Sequence, residues 1–190
     1  KFFYSFVGDK ESNSSNIEVA TDPGRAIIER LTNGIDSVLE DIFNKRKEEN
    51  TPTSPHEAAE KWLGISQKQG LKSLSYSERM KLGKEFVTVR QFKGDSSSSQ
   101  IIDVIDKGTG LNQNEFKTKI LSISASNKIR KKYVMGQYGH GGSSTFAFTK
   151  KTLIVSKTEN SNHVSFTVVW YLEPEDHDET MKIGSYVYFT

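Results

Sequence analysis

Cysteine is absent from the 190 residues of this sequence. The chain therefore has no disulfide framework, no thiolate zinc site and no cysteine nucleophile. This absence fits a reducing compartment, so we expect a cytoplasmic protein. No apolar run approaches the ~20 residues that are needed to span a bilayer. The N-terminus has no signal-peptide pattern, and we expect no membrane partner.

The sequence also lacks an excess of charge of one sign. It has 26 basic and 24 acidic residues, for a formal net charge of +2. That balance does not indicate a nucleic-acid-binding module, but local basic patches are compatible with nucleic acid as a partner. The length suits one domain over residues 1–190 with a sizeable core. The chain does not begin with Met, and residues 185–189 resemble a strand cut off at its end, so we expect the N-terminal part of a longer protein.

The first long helix is predicted over residues 23–47, with Asp22 as its N-cap and Pro23 at its first position. Residues three and four apart are neighbours on a helix surface, so Glu29, Asn33 and Asp36 share one face. The other side is apolar and comprises Ile27, Ile28, Leu31, Ile35, Val38, Leu39 and Ile42. The polar face is either the solvated side of an amphipathic helix or a face that carries chemistry.

The rest of the chain is helical first and rich in strands later. Residues 48–83 are interpreted as an insertion with helices near residues 55–63 and 76–82. Short helices are predicted after Asn112 or Asn114, with Phe116 inside, and over residues 143–150. A period of two predicts strands at residues 4–7, 86–92, 100–106, 152–156, 163–171 and 184–189. We therefore predict an α+β fold, a two-layer α/β sandwich in which helices cover one face of a mixed or antiparallel sheet.

Two glycine-rich segments accompany the polar helix face. Asp106 ends a predicted strand and is followed by Gly108 and Gly110, and residues 136–142 contain four glycines. A glycine-rich turn that leads into a helix favours an anion, because free backbone N–H groups and the helix dipole both attract negative charge. Neither segment has the Walker pattern or the dinucleotide fingerprint.

Taken together, the three segments resemble the Bergerat-fold (GHKL) ATP-binding family. Its members include gyrase B subunits, ninety-kilodalton heat-shock chaperones, MutL, MORC ATPases and sensor histidine kinases. The first family motif, Glu-x-x-x-Asn-x-x-Asp-Ala, is matched by Glu29, Asn33 and Asp36, with Ser37 in place of Ala. The resemblance runs from about Pro23 to the C-terminus.

The second and third motifs follow in the family's order. The second, Asp-x-Gly-x-Gly-Met, is matched by Asp106, Gly108 and Gly110, with Leu111 for Met. The third resembles the chaperone sequence Gly-Gln-Phe-Gly-x-Gly and comprises Gly136, Gln137, Tyr138, Gly139, His140 and Gly141. A chaperone-like branch and a divergent multidomain ATPase both fit, because the spacing from Asp36 to Asp106 is long.

The resemblance implies roles for these residues in binding ATP and Mg²⁺. Glu29 resembles the general base that activates the attacking water. Asn33 resembles the Mg²⁺ ligand, since Mg²⁺ prefers oxygen donors and keeps several waters. Asp106 either accepts a hydrogen bond from the adenine amino group or only caps a turn. Gly110 would let the chain pass close to the base.

The remaining site residues follow from the same resemblance. The N–H groups of Gly139, Gly141 and Gly142 would face the phosphates. Asp36 either supports the purine pocket or only solvates the helix. Ser185, after Gly184, resembles a late segment whose hydroxyl touches the adenine side. His140 either senses charge in a phosphate loop or is a tolerated exposed residue.

Residues 112–135 would form a lid over the nucleotide. Its basic side chains either reach the phosphates or form a solvated face, and they are Lys128, Arg130, Lys131 and Lys132.

The function implied is that of a Mg-dependent ATPase domain whose turnover drives conformational change or homodimerisation in a larger protein. A downstream domain would supply a Lys or Arg to the γ-phosphate, so turnover by this chain alone would be slow. One alternative is a nucleotide-binding regulatory or interaction module with little activity of its own. Another is a histidine-kinase-like phosphotransfer domain, but sensor kinases lack a base at the position of Glu29.

Overall fold

The computed structural model of the chain describes residues 3–18, 22–46, 50–96, 99–123, 131–136, 143–177 and 180–189. Its strands are β1 (Tyr4–Phe6), β2 (Val87–Lys93), β3 (Gln100–Asp106), β4 (Lys151–Ser156), β5 (Ser165–Leu172) and β6 (Ser185–Phe189). Its α-helices are α1 (Ser14–Ile17), α2 (Pro23–Arg46), α3 (Pro55–Leu63), α4 (Tyr76–Glu85), α5 (Gln113–Glu115) and α6 (Pro174–His177). None of the helices described is long and apolar enough to cross a membrane.

The chain divides into two compact units. The first unit comprises residues 1–30, 110–127 and 137–190, and the second comprises residues 31–109 and 128–136. Helix α2 contributes its first turns to the first unit and the rest of its length to the second.

The first unit is built on a four-stranded antiparallel sheet in the order β1-β6-β5-β4. Its core comprises Val7, Ile17, Phe116, Leu121, Phe146, Ile154, Val169, Tyr186 and Tyr188. The buried side chain of Asn13 ties the N-terminal segment to β6: its amide donates to the carbonyls of Val7 and Tyr186, and its oxygen accepts the Tyr186 N–H at 2.8 Å. A buried amide satisfied in this way contributes to stability instead of costing it.

The second unit contains the antiparallel hairpin β2–β3 and helices α3 and α4. Both helices begin at serine N-caps, Ser54 and Ser75, whose side chains accept N–H groups of the first turn. This capping satisfies donors that an uncapped helix would leave without partners. A buried cluster of Leu39, Ala58, Trp62, Tyr133 and Val134 holds the segment 131–136 on α2 and α3.

Helix α2 begins as the sequence predicts. The Asp22 side chain accepts the Gly24 N–H at 2.8 Å, and Pro23 occupies the first helical position. The predicted division of its faces is wrong at two residues. Ile28 is 61% exposed, whereas Asp36 is only 1% exposed. A carboxylate can be buried there because backbone N–H groups replace its water.

The predicted α+β class with antiparallel sheets is confirmed, as expected of a Bergerat fold. The predicted strands are all present, within a few residues at their ends. Two helical predictions need correction. Residues 143–150 form only a 3₁₀ turn at Phe146–Phe148, where the Thr149 hydroxyl bonds the carbonyls of Thr145 and Phe146. The helix that Asn112 caps continues after Glu115 as a π-helical turn, Phe116–Ile120.

Candidate functional site

The Asp36 carboxylate connects α2 to the start of the third sequence motif. Within the second unit, its Oδ1 accepts the Met135 N–H at 2.7 Å and its Oδ2 accepts the Gly136 N–H at 2.9 Å. Charge-assisted hydrogen bonds of this kind are about twice as strong as neutral ones. Asp36 therefore does not solvate the helix surface, and the Gly136 N–H is already bound within the protein.

Asp106 ends β3 and lies beside α2. A Cβ built on Gly34 would come within 3.3 Å of the Asp106 Cβ. The Asp106 Oδ1 accepts the Gly108 N–H at 3.0 Å, so this residue caps the turn that follows the strand. The side chain is exposed, and in the described part of the chain its Oδ2 has no hydrogen-bond partner. One carboxylate oxygen thus holds the turn and the other is available to a ligand.

The second motif also packs closely on Ser37. A Cβ on Gly108 would collide with the Ser37 Oγ, so only glycine fits at this position. The Ser37 Oγ also lies 3.5 Å from the Thr109 Oγ1. One short stretch of α2, from Asn33 to Ser37, therefore brings residues of all three motifs together within the second unit.

Glu29 and Asn33 stand one turn apart on α2, on the same side of the helix. Both are half-buried. Glu29 has no hydrogen bond or ion pair in the part of the chain that the structure describes. The chemistry of the donors fits Mg²⁺, since the Asn33 amide oxygen is a hard ligand and Mg²⁺ sites take few protein ligands.

Three further candidates lie in the first unit and are held by protein contacts. Gly110 has a φ of +65°, and a Cβ there would collide with the Lys157 carbonyl oxygen. The Leu111 N–H donates to the Ser156 Oγ at 2.8 Å. Ser185 is buried and its hydroxyl donates to the Glu11 carbonyl, so its proton is not available to a ligand.

Several predicted site residues lie outside the described residues. They are Gln137, Tyr138, Gly139, His140, Gly141 and Gly142 of the third motif, and Lys128 and Arg130 of the predicted lid. Of the other basic lid residues, Lys131 forms an ion pair with Glu40 in the second unit, and Lys132 is exposed.

Arg30 is a residue that the motif comparison missed. Its Nε donates to the Thr145 Oγ1 at 2.9 Å, and its guanidinium lies 5.3 Å from the centre of the Phe146 ring. Burial lowers the pKa of Arg30 to about 10, so the group remains charged at neutral pH. The sequence next to Arg30 gives no signal of this burial, because Thr145 and Phe146 belong to a distant segment.

Comparison with known proteins places this arrangement in a family. Residues 21–186 match the family described as histidine kinase-, DNA gyrase B-, and HSP90-like ATPase. No curated protein matches the chain. The family match covers most of the sequence and includes all three motifs. The chain therefore belongs to the histidine kinase-, DNA gyrase B-, and HSP90-like ATPases.

Proposed function

We propose that this chain binds Mg-ATP through its three motifs and hydrolyses it to ADP and phosphate. One observation carries the proposal: three segments that are distant in sequence converge on one stretch of α2. Asp36 binds Gly136, Gly34 contacts Asp106, and Ser37 contacts Gly108. Such convergence is unnecessary for an ordinary amphipathic helix and is what a composite ligand site requires.

Asp106 recognises adenine in this proposal. Its Oδ1 holds the Gly108 N–H, and its Oδ2 accepts a hydrogen bond from the adenine amino group. The turn therefore orients the carboxylate before the base arrives. Gly110, Leu111 and Ser185 are also assigned to the adenine, and the Ser185 hydroxyl, which donates to the Glu11 carbonyl, can serve it only as a hydrogen-bond acceptor. Gly139, Gly141 and Gly142 donate their N–H groups to the phosphates, as backbone amides do in other anion sites.

Glu29 acts as the general base. Its carboxylate takes a proton from water while the water oxygen attacks the γ-phosphorus and the bond to the β-phosphate oxygen breaks. A half-buried carboxylate without a partner in the described part of the chain has a free oxygen for that proton. Asn33 would hold Mg²⁺, which supplies charge neutralisation to the phosphates when it is bound.

Turnover is coupled to a conformational change or to homodimerisation in a larger protein. The support is the double hydrogen bond of Asp36, which links the start of the third motif directly to the helix that carries Glu29 and Asn33. A rearrangement of the phosphate-binding segment on hydrolysis would therefore strain or release residues 131–136. The third motif favours a chaperone-like branch of the family.

The test compares ATP hydrolysis with ATP binding in Glu29→Gln. We expect this variant to bind Mg-ATP within a few-fold of the wild type while phosphate release falls by about 10²- to 10⁴-fold, the usual contribution of a general base. Glu85→Gln is the matched control, because Glu85 is an exposed glutamate on α4 outside the three motifs.

Each other outcome has a defined meaning. Hydrolysis at the wild-type rate in Glu29→Gln would contradict the role of Glu29. A wild type that binds Mg-ATP but releases no phosphate would identify a nucleotide-binding module, and transfer of the phosphoryl group to histidine would identify a kinase.

A further inference from the structure

The guanidinium of Arg30 is unusual because its end is buried without an acceptor. Part of the residue reaches solvent, yet Nη2 is buried and has no hydrogen-bond partner in the described part of the chain. Arginine normally buries its aliphatic stem and keeps its charged end in water. A charged donor that is buried and unpaired destabilises the protein unless an acceptor arrives.

The rest of the group is held firmly within the first unit. Its Nε donates to the Thr145 Oγ1 at 2.9 Å, and the Phe146 ring lies 5.3 Å from the guanidinium carbon. Neither contact neutralises the charge, and no carboxylate pairs with Arg30 among the described residues. The pKa, lowered to about 10 by burial, leaves the group protonated at neutral pH. Nη2 is therefore a buried, charged donor that lacks an acceptor among the described residues.

We propose that Arg30 binds the terminal phosphate of the bound nucleotide through Nη2, and that Thr145 positions its guanidinium. This inference rests on the proposed function, which places the attacked phosphate beside the turn of α2 that carries Glu29. Consecutive side chains of a helix point about 100° apart, so Arg30 reaches that phosphate from another side of α2 than Glu29 does. Phosphate is the ligand best matched to a guanidinium, whose planar N–H groups pair with two oxygens at once. Thr145 follows the glycine-rich residues 136–142 closely in sequence, which agrees with a phosphate nearby.

The experiment titrates Mg-ATP, Mg-ADP and adenosine into Arg30→Met by calorimetry. Met keeps an unbranched apolar side chain for the Phe146 contact but removes the charge. We expect ATP affinity to fall by roughly 10- to 100-fold, the usual range for a lost hydrogen bond to a charged group. The affinity for ADP should fall less, and the affinity for adenosine should be unchanged. Arg25→Met is the control, because Arg25 is exposed on the same helix.

The split between ligands separates binding from structural damage. If Arg30 has only a structural role, Arg30→Met would lower the affinities for ATP, ADP and adenosine together, or would lower the unfolding temperature and leave all three affinities unchanged. Either result overturns the proposal. If Arg30→Met does not fold, Thr145→Val provides the second variant. It removes the acceptor of Nε and keeps the side-chain shape, and we expect a loss of ATP affinity of a few-fold with adenosine binding intact.

Inorganic tripolyphosphate distinguishes this inference from the proposed function. If the wild type binds tripolyphosphate but no adenosine compound, and Arg30→Met loses that binding, Arg30 is a phosphate ligand although the proposed function fails. If adenine nucleotides bind the wild type and Arg30→Met equally, the proposed function stands and the role of Arg30 is refuted. A wild type that binds neither class of ligand refutes both.

Discussion

The substitution Asp36→Asn tests the link between α2 and the third motif. Each oxygen of the Asp36 carboxylate accepts one backbone N–H, from Met135 at 2.7 Å and from Gly136 at 2.9 Å. Asparagine keeps the shape and one acceptor oxygen, but its amide group faces the second N–H as a donor. A hydrogen bond to a charged group contributes about 1.5 to 3 kcal/mol, so we expect at least that loss in the free energy of unfolding.

Asp41→Asn is the matched control on the same helix. Asp41 forms an ion pair with Lys45 at 2.9 Å, one turn along α2; the Lys45 side chain is exposed and the Asp41 side chain is half-buried. Helical ion pairs at this spacing are worth about 0.3 to 0.5 kcal/mol, so the same chemical change should have an effect several times smaller. The comparison removes any general effect of changing aspartate to asparagine in this helix.

Urea unfolding followed by Trp62 fluorescence measures the difference. Trp62 reports on the second unit, because its ring lies 5.7 Å from that of Tyr133 in the segment that Asp36 holds. Trp170→Phe in all variants removes the other tryptophan. Amide hydrogen exchange at Met135 and Gly136 should accelerate in Asp36→Asn only. Equal stability in the two variants, with unchanged protection of these amides, would show that the two hydrogen bonds of Asp36 do not stabilise the second unit.

Two further predictions concern backbone conformation and acid stability. Gly110→Ala should lower the free energy of unfolding by at least about 1 to 3 kcal/mol, because its φ is +65° and a Cβ would meet a carbonyl. In contrast, Gly83→Ala should raise it by about 0.5 to 1 kcal/mol, since Gly83 lies inside α4 with open space around it. Urea unfolding of the two variants measures both changes. A Gly110→Ala variant as stable as the wild type would contradict the first prediction. Hydrogen bonds from the Lys119 side chain and the Asn112 N–H hold the pKa of Glu115 below its usual 4.5. The stability this adds is present above pH 4.5 and is lost as the pH falls through the lower folded-state pKa, so Glu115→Gln should reduce the loss of stability on acidification. Unfolding measured at several pH values from about 3 to about 7 checks this, and an unchanged profile in the variant would contradict it.

Local sequence patterns predicted most of the secondary structure. The Asp22-Pro23 start of α2 and the serine cap of α3 follow rules that depend on a few neighbouring residues, and both are present. The hairpin β2–β3 likewise follows from alternating β-branched and aromatic residues. The helix predicted over residues 143–150 was wrong. The Thr149 hydroxyl bonds a nearby carbonyl, and bonds of this kind compete with a longer helix.

The contacts that build the site could not be predicted in the same way. The motifs identified Asp36 and Gly110 as candidates, but not what each residue contacts. Asp36 accepts the N–H group of Gly136, 100 positions away. Gly110 lies against the carbonyl of Lys157. Arg30 was missed because a basic residue next to a glutamate resembles an ordinary exposed helix position. Its burial depends on Thr145 and Phe146, and such long-range contacts leave no local pattern in the sequence.

Calorimetric titration of the wild-type chain with Mg-ATP, alongside Asp106→Asn and Asp103→Asn, determines whether the chain binds ATP through the Asp106 carboxylate. The amide side chain of Asp106→Asn keeps an oxygen for the Gly108 N–H, so the turn should survive while the second carboxylate oxygen is lost. Asp103 lies on the same strand, paired in register with Arg90, and serves as the control. We predict saturable binding by the wild type and Asp103→Asn, and a loss of binding in Asp106→Asn. A wild type that binds no Mg-ATP would show that the three motifs do not form an ATP site, and an Asp106→Asn variant that binds it as tightly would show that Asp106 does not contact the adenine.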